Sequence, residues 1–484
     1  MYAIGTPLVA SPHAVSCSLP TIKSVVGYEE KDPAIWDFMR IGYPRFVQNP
    51  LIVQYLSMFS KQKGLGQNWD FYAVTTESVV ESIKDRFSVP KGHWKVHGFH
   101  VIAMEKFPEV SPRVKAFLQH TGTQISSRQA EDALLAEGQK SSPHFEEHLP
   151  LDQAKTSVIQ KIAILQKVNE SAVQIATGGM NATYHLLEAI DQDTPEGVYL
   201  YIGWLYTDTL SIFRKDYSEK SRSILCLKDW EAIESAFKDP NNPVKAVLTE
   251  VPTNPLLKTI DLDRLYSLCQ QNNTCLIVDA SVSGLSNVCL KDRCDILVCS
   301  LTKYFGSGCD LLAGTIVYYS AKAEKWKKNM QNRLDPLYRR DWQRLGFETQ
   351  KLDLINPVIN HHAKQLASRL TEHPAIEKVF HPYQQDSGCQ YQKLAGANAP
   401  GALISYTVKK NWQAYYDQLM IAKGPSFGVT FSMLCPYVYL AHYQEVKQHL
   451  LPPIIPPNLL RLSVGVEPLE EIWEKISTPL VYCE

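Results

Sequence analysis

Apolar positions in the middle of the chain come in short unbroken runs: GVYLYIG (197–203), VKAVLTEV (244–251), TCLIVDA (274–280), DILVCSL (295–301) and LLAGTIVYY (311–319). A strand with one wet face alternates apolar and polar residues, so runs without alternation predict strands buried on both sides. The stretches between them leave room for covering helices, which predicts an α/β fold around a mostly parallel sheet. Ahead of these runs, Val158, Ile162, Leu165 and Val168 in AKTSVIQKIAILQKV (154–168) fall at helical spacing. Residues 1–153 have another texture. They mix Pro-rich loops with amphipathic stretches such as TESVVESIKDRF (76–87), and SSPHFEEHLP (141–150) reads as a linker. Beyond the long helical stretch KLDLINPVINHHAKQLASRLTEH (351–373), ALISYTV (402–408) and LLRLSVGV (459–466) predict a smaller α+β unit. The expected division is an N-terminal segment at 1–153, a large domain at 154–365 and a small C-terminal domain at 366–484.

Composition narrows the class. Hydrophobic residues are 45% and charged residues 20% of the 484 positions, with net charge −1, as in ordinary soluble globular proteins. That balance calls for no nucleic acid, and no run of apolar residues is long enough to span a membrane. The N-terminus lacks a positive leader and is broken by Pro7, Pro12 and Pro20, so it does not read as a secretory signal. The 11 cysteines show no CxxC pair and are expected as free thiols in a reducing cytoplasm. No metal site is expected. In HFEEH (144–148), Pro143 and Pro150 leave too little helix to put both histidines on one face. His93, His97 and His100 of GHWKVHGFH are read as strand and turn residues. The basic stretch KWKKNMQNRLDPLYRRDWQR (325–344) is read as a solvated or subunit-contact face, because Asp335 and Asp341 interrupt it.

The candidate chemistry lies where the buried strands end. In sheets of this kind ligands gather at the carboxyl ends of the strands. There the sequence puts Glu250 to Asn254, Asp279, and Lys303 in CSLTKYFGSG. A lysine at the inner end of a strand is costly to bury charged unless it is paired or chemically used. An ion pair between Asp279 and Lys303 is the simpler reading. IATGGMNATYHLLEAI (175–190) also places two glycines ahead of an amphipathic helix, either as a tight helix entry or as a phosphate cradle of backbone N–H groups. Cradle, aspartate and lysine together meet the needs of pyridoxal phosphate: donors for its phosphate, a carboxylate for its ring nitrogen and an amine for its aldehyde.

At these residues the chain resembles the Cys/Met-metabolism family of pyridoxal-phosphate enzymes. The resemblance rests on ATGGM, YTDTL, EVPTNPLLKTIDL, LIVDAS, CSLTKYFGSGCD, KGPSFGVTFSMLCPY and LRLSVGVE, in family order over roughly residues 154–484. PHAVSCSLPTIKSVVGYEE, GYPRFVQNPL and QHTGTQISSRQAE are similar to the fungal type of cystathionine γ-synthase. The resemblance implies a fold-type-I pyridoxal-phosphate transferase. In it Lys303 holds the cofactor and shuttles protons, Asp279 pairs with the ring nitrogen, and Tyr206 of YTDT stacks on the ring. Gly179, Met180, Ser300 and Thr302 would bind the phosphate, Asn254 would lie near the ring hydroxyl, and Arg461, assisted by Ser426, would clamp the substrate carboxylate. The family's YSR motif, which serves a neighbouring subunit's phosphate, is nearest to ISSRQAE (125–131), giving Arg128 with Ser126 in place of tyrosine; Tyr43 and Arg45 of GYPRF are rivals. The implied activity is γ-replacement on an O-acylhomoserine by a thiol such as cysteine, in a homodimer or homotetramer with shared active sites. A carbon nucleophile such as a β-keto acid or ester, lyase-type elimination, and a noncatalytic cofactor-binding scaffold are the alternatives.

Overall fold

A computed structural model describes residues 2–43, 46–384, 387–396 and 398–483. Each of the five unbroken apolar runs forms a strand: Val198–Ile202, Val244–Glu250, Cys275–Asp279, Ile296–Ser300 and Gly314–Tyr318. With Val173–Ala176 and Ser221–Ile224 they build a seven-stranded sheet. From one edge its order is Val173–Ala176, Gly314–Tyr318, Ile296–Ser300, Cys275–Asp279, Val244–Glu250, Val198–Ile202, Ser221–Ile224. Gly314–Tyr318 runs antiparallel to both its neighbours, and every other pairing is parallel.

The reason the runs lack alternation is visible in their packing. Ala246, Leu248, Ile277, Ile296 and Val298 face one apolar cluster, with Leu186, Ile190 and Phe213 from the helices Gly179–Asp193 and Thr207–Asp216. Their neighbours Val247, Leu276, Val278 and Leu297 face a second, with Val158 and Ile162 of Leu151–Gln166 and Leu265 of Leu262–Gln271. Burying each of the Val, Leu, Ile and Phe side chains contributes about 1.5–3 kcal/mol, so both faces of the sheet are held by their helices.

A second, five-stranded sheet runs in the order Ile376–Phe380, Leu403–Val408, Leu460–Ser463, Met433–Pro436, Ala422–Lys423. An N-terminal segment packs on it: Leu19, Ile22, Val25 and Tyr28 share an apolar cluster with Leu366, Ile404, Tyr406 and Leu462. Leu19 N donates to Lys423 O at 2.9 Å and Lys423 Nζ donates to Pro20 O at 2.8 Å, tying this segment down. A third, three-stranded antiparallel sheet of Trp69–Val74, Phe99–Glu105 and Gly92–Val96 lies within residues 55–120. Its hairpin turns at His97 and Gly98, both at positive φ (46° and 79°), the backbone that a two-residue turn between twisted strands requires. Among the described residues no helix is long and apolar enough to cross a membrane, and the 11 cysteines are free.

Candidate active site

The carboxyl ends of three adjacent parallel strands deliver Glu250, Asp279 and Ser300 to one crevice, with Glu250 directly beside Asp279 in the register. A cavity opens there. It is bounded by ten of the residues singled out in the sequence: Gly179, Met180, Tyr206, Asn254, Asp279, Ser300, Thr302, Lys303, Ser426 and Arg461.

Lys303 sits in the turn after Ile296–Ser300 and is buried. Its Nζ donates to Tyr43 Oη at 3.1 Å and to Ser426 Oγ at 3.4 Å, and lies 4.8 Å and 4.9 Å from the ring centres of Tyr43 and Phe427. Asp279 does not take the lysine as a direct partner; its Oδ1 accepts from Ser281 N at 2.7 Å. Desolvation pushes the Asp279 carboxyl above the ordinary aspartate range, with the Ser281 hydrogen bonds and the Lys303 charge opposing it. A carboxylate held in that state suits a cationic N–H partner.

At the other end of the cavity the helix Gly179–Asp193 begins at Gly178 with no side-chain cap, so its first N–H groups are left for a ligand. Gly179 sits close to the next strand end: a Cβ there would stand 3.0 Å from Ser300 Cβ, so a larger residue would press on Ser300. Ser300 N donates to Ser281 Oγ at 2.7 Å, and the Thr302 hydroxyl is fixed against Ala313 N (3.2 Å) and Ala313 O (3.3 Å). An uncapped helix start, a recessed carboxylate and a lysine amine, arranged around one cavity, fit the phosphate, ring and aldehyde of pyridoxal phosphate.

Arg461, from Leu460–Ser463, donates Nη1 to Asn254 Oδ1 at 3.3 Å and Nη2 to Ser426 O at 3.1 Å. Its guanidinium lies 4.8 Å from the Tyr437 ring centre and 5.2 Å from that of Phe427. Ser426 adopts φ +115°, a conformation that L residues rarely hold. Backbone strain of this kind clusters at ligand sites, and here it accompanies a carbonyl turned to Arg461 and a hydroxyl turned to Lys303.

The structure does not bring Arg128 to the cavity. Ser126 caps the helix Ser127–Ala136 by accepting from Gln129 N, which puts Arg128 in the first turn and inward. Its guanidinium is 1% exposed and grips Glu146 through Nε (2.8 Å) and Nη2 (2.6 Å), with Asp341 Oδ1 at 3.1 Å and Asp310 O at 2.9 Å from Nη1. No face of it is left for a neighbouring subunit's phosphate. Removing one member of such a buried cluster strands the others. Arg128→Met is therefore expected to destabilise the fold by about 3–5 kcal/mol, read as a lowered denaturation midpoint, while cofactor content per folded molecule stays unchanged.

Two wall residues do more than the sequence assigns: it offers Tyr43 only as a rival for the YSR motif, and Glu250 without a role. Tyr43 reaches the cavity because the N-terminal segment wraps onto the C-terminal sheet; Arg45, named with it, lies outside the described residues. Glu250 accepts from Tyr206 N at 2.5 Å and from Asn254 N at 3.2 Å, and burial followed by the Asp279 charge pushes its carboxyl well above the usual range. Its place at a strand end was a signal, but nothing in the sequence says that it holds two other wall residues.

Fold and cavity together define an α/β enzyme of the pyridoxal-phosphate-dependent class. The chain belongs to the Cys/Met metabolism PLP-dependent enzyme family, whose model matches residues 115–481. L-2-amino-4-chloropent-4-enoate dechlorinase/desaturase of Streptantibioticus cattleyicolor is 28% identical, covering 97% of this chain and 96% of its own. Cystathionine gamma-synthase of Neurospora crassa is 30% identical over 66% of this chain, a match spanning 53% of that protein. The solved cystathionine gamma synthase from Xanthomonas oryzae pv. oryzae, in complex with cystathionine, has a TM-score of 0.60 at 20% identity, covers 71% of this chain and 91% of its own, and is alike in fold.

Proposed function

We propose that the protein performs γ-replacement on an O-acylhomoserine, with a thiol such as cysteine as nucleophile. The observation that carries this reading is the Lys303 amine, hydrogen-bonded to two hydroxyls, those of Tyr43 and Ser426. Loss of a group from Cγ needs two protons moved, first from Cα and then from Cβ, and an amine flanked by hydroxyls can take and hand on both. Pyridoxal phosphate, when bound, supplies an aldehyde for the substrate amine and an electron-poor ring that stabilises negative charge at Cα.

The remaining roles are those the family resemblance implies, and the shared cavity supports them. With the cofactor bound, Asp279 would face the ring nitrogen, Tyr206 would cover the ring, Asn254 would stand near the ring hydroxyl, and Gly179, Met180, Ser300 and Thr302 would hold the phosphate. Arg461 takes the substrate's α-carboxylate, with Ser426 beside it. Tyr437, in the same wall, has a buried hydroxyl without a hydrogen-bond partner among the described residues and is placed to complete that contact. Arg461→Lys keeps the charge but loses the planar fork, and is expected to raise KM for the amino acid about 10- to 100-fold with a smaller change in kcat, measured by steady-state kinetics. A homodimer or homotetramer in the cytoplasm is part of the same reading.

The second reading is γ-elimination. It is favoured by the Streptantibioticus relative, which matches along nearly its whole length and whose named substrate carries chlorine on C4, the γ carbon. Acetyl, succinyl and phosphoryl esters of homoserine, and 2-amino-4-chloropent-4-enoate, incubated with and without cysteine or a β-keto ester, separate the readings by product mass. A cysteine adduct supports replacement by a thiol, and a keto-ester adduct moves the nucleophile to carbon. Loss of the γ group regardless of nucleophile establishes elimination, and unchanged amino acid in every arm overturns both readings.

A further inference from the structure

We propose that Glu77, His93 and His100 form a Zn²⁺ site in the N-terminal hairpin, remote in function from the cavity. His93 is on Gly92–Val96 and His100 on Phe99–Glu105; His93 pairs with Ile102 in the register, so the two imidazoles are diagonal neighbours on one face. Their rings stack at 5.1 Å with 24° between planes. Glu77 is the first residue of the helix Glu77–Phe87, which lies across that face. One ligand atom from each of the three residues falls within 4.8 Å of the other two.

The atoms converge in a way that a proton satisfies poorly. His93 Nε2 is 2.8 Å from His100 Nδ1, and Glu77 Oε2 is 3.3 Å from the same Nδ1. With both rings neutral, a proton on His100 Nδ1 is shared between two acceptors, and a proton on His93 Nε2 instead leaves the Glu77 carboxylate facing a lone pair. A dication at the centre turns all three into ligands. Tetrahedral Zn²⁺ with bonds of about 2.0–2.1 Å sets its ligand atoms about 3.3 Å apart. The carboxylate is at that separation from His100 Nδ1 already, and the two nitrogens need to part by about 0.5 Å, within the swing of a partly exposed His93. Two histidines and one carboxylate leave a fourth position for water, and nitrogen with oxygen donors suits Zn²⁺ over Mg²⁺ or Ca²⁺.

His97, the third histidine of the hairpin, pairs instead with Glu137 at 2.8 Å and takes no part. Bound metal would join the hairpin to the first turn of the helix beside it. That turn is already fixed to the sheet domain through Thr76 Oγ1 on Asp335 Oδ1 (3.0 Å), whose Oδ2 accepts from Asn181 Nδ2 (2.8 Å).

The test is calorimetric titration of ZnCl₂ into chelator-treated, full-length holoprotein, beside His93→Gln and Glu77→Gln. Both substituted side chains are partly exposed, so these variants are expected to fold. The expected result is one equivalent of Zn²⁺ bound by the wild type, loss of that equivalent in His93→Gln, and at least tenfold weaker binding in Glu77→Gln, with unchanged turnover. Co²⁺ in place of Zn²⁺ is expected to give visible absorption that His93→Gln lacks. Absence of wild-type binding at millimolar Zn²⁺, or the same stoichiometry and affinity in His93→Gln, as binding at the exposed Cys226 or Cys389 would give, overturns the proposal.

Discussion

Lys303→Ala is expected to lower turnover by about 10³-fold or more, the usual scale for removing a positioned acid–base group, with a larger loss where the same side chain also holds the cofactor. The amine is the basic group that the structure places at the centre of the cavity, within hydrogen-bond reach of Tyr43 and Ser426 and clear of direct pairing with Asp279. Both hydroxyls remain in the alanine variant, yet neither is basic enough at neutral pH to take a proton from carbon. Added methylamine or ethylamine is expected to restore part of the rate, because the deleted side chain leaves a space next to those hydroxyls. Borohydride treatment and peptide mass analysis give an independent readout: a cofactor adduct on the Lys303 peptide of the wild type and none on the variant. Turnover above about a tenth of wild type would remove Lys303 from the chemistry.

Much of this site was legible because its parts stand at the ends of strands that announce themselves. Strands packed on both faces read as unbroken apolar runs, so Val244–Glu250, Cys275–Asp279 and Ile296–Ser300 were visible, and with them the polar residues that close each run. Gly178 and Gly179 were visible as a helix entry, and the structure adds the close approach of Gly179 to Ser300. What stayed hidden depends on contacts distant in sequence. Tyr43 lies 260 residues from Lys303, and only the packing of Leu19, Ile22 and Val25 on the C-terminal sheet brings its segment there. The setting of Arg128 was hidden for the same reason: its partners Asp310 and Asp341 are 182 and 213 residues away, and no local pattern says that a guanidinium beside a helix cap will be claimed by them. In GHWKVHGFH the histidines read as strand and turn residues, and the structure has His93 and His100 on Gly92–Val96 and Phe99–Glu105 with His97 in the turn; the convergence of His93 and His100 with Glu77 was not visible.

Asp279→Asn separates a binding role from a structural one, because the two predict opposite effects on the protein without its cofactor. The carboxylate is recessed at the end of Cys275–Asp279, where desolvation raises its pKa. The folded apoprotein therefore holds the proton more tightly than the unfolded chain, and its stability falls as pH rises from the ordinary aspartate value through the raised one. Asparagine keeps the shape and an oxygen acceptor for Ser281 N but carries no charge, so the apo variant is expected to melt at the same temperature as wild type or higher at neutral pH, without that pH dependence. With cofactor the sign reverses. Removing one partner of a desolvated charge pair costs about 2–5 kcal/mol, so cofactor affinity is expected to fall on the order of 10²–10³-fold, and kcat with it, because a ring nitrogen without its carboxylate holds its proton less well. Equilibrium dialysis gives the affinity and calorimetric melting of the apo forms gives the stability. A variant that melts lower without cofactor yet binds it as tightly as wild type would make Asp279 a strand-end structural residue, and the ring would need another counter-charge, for which the adjacent Glu250, held by Tyr206 N and Asn254 N, is the next carboxyl in the register.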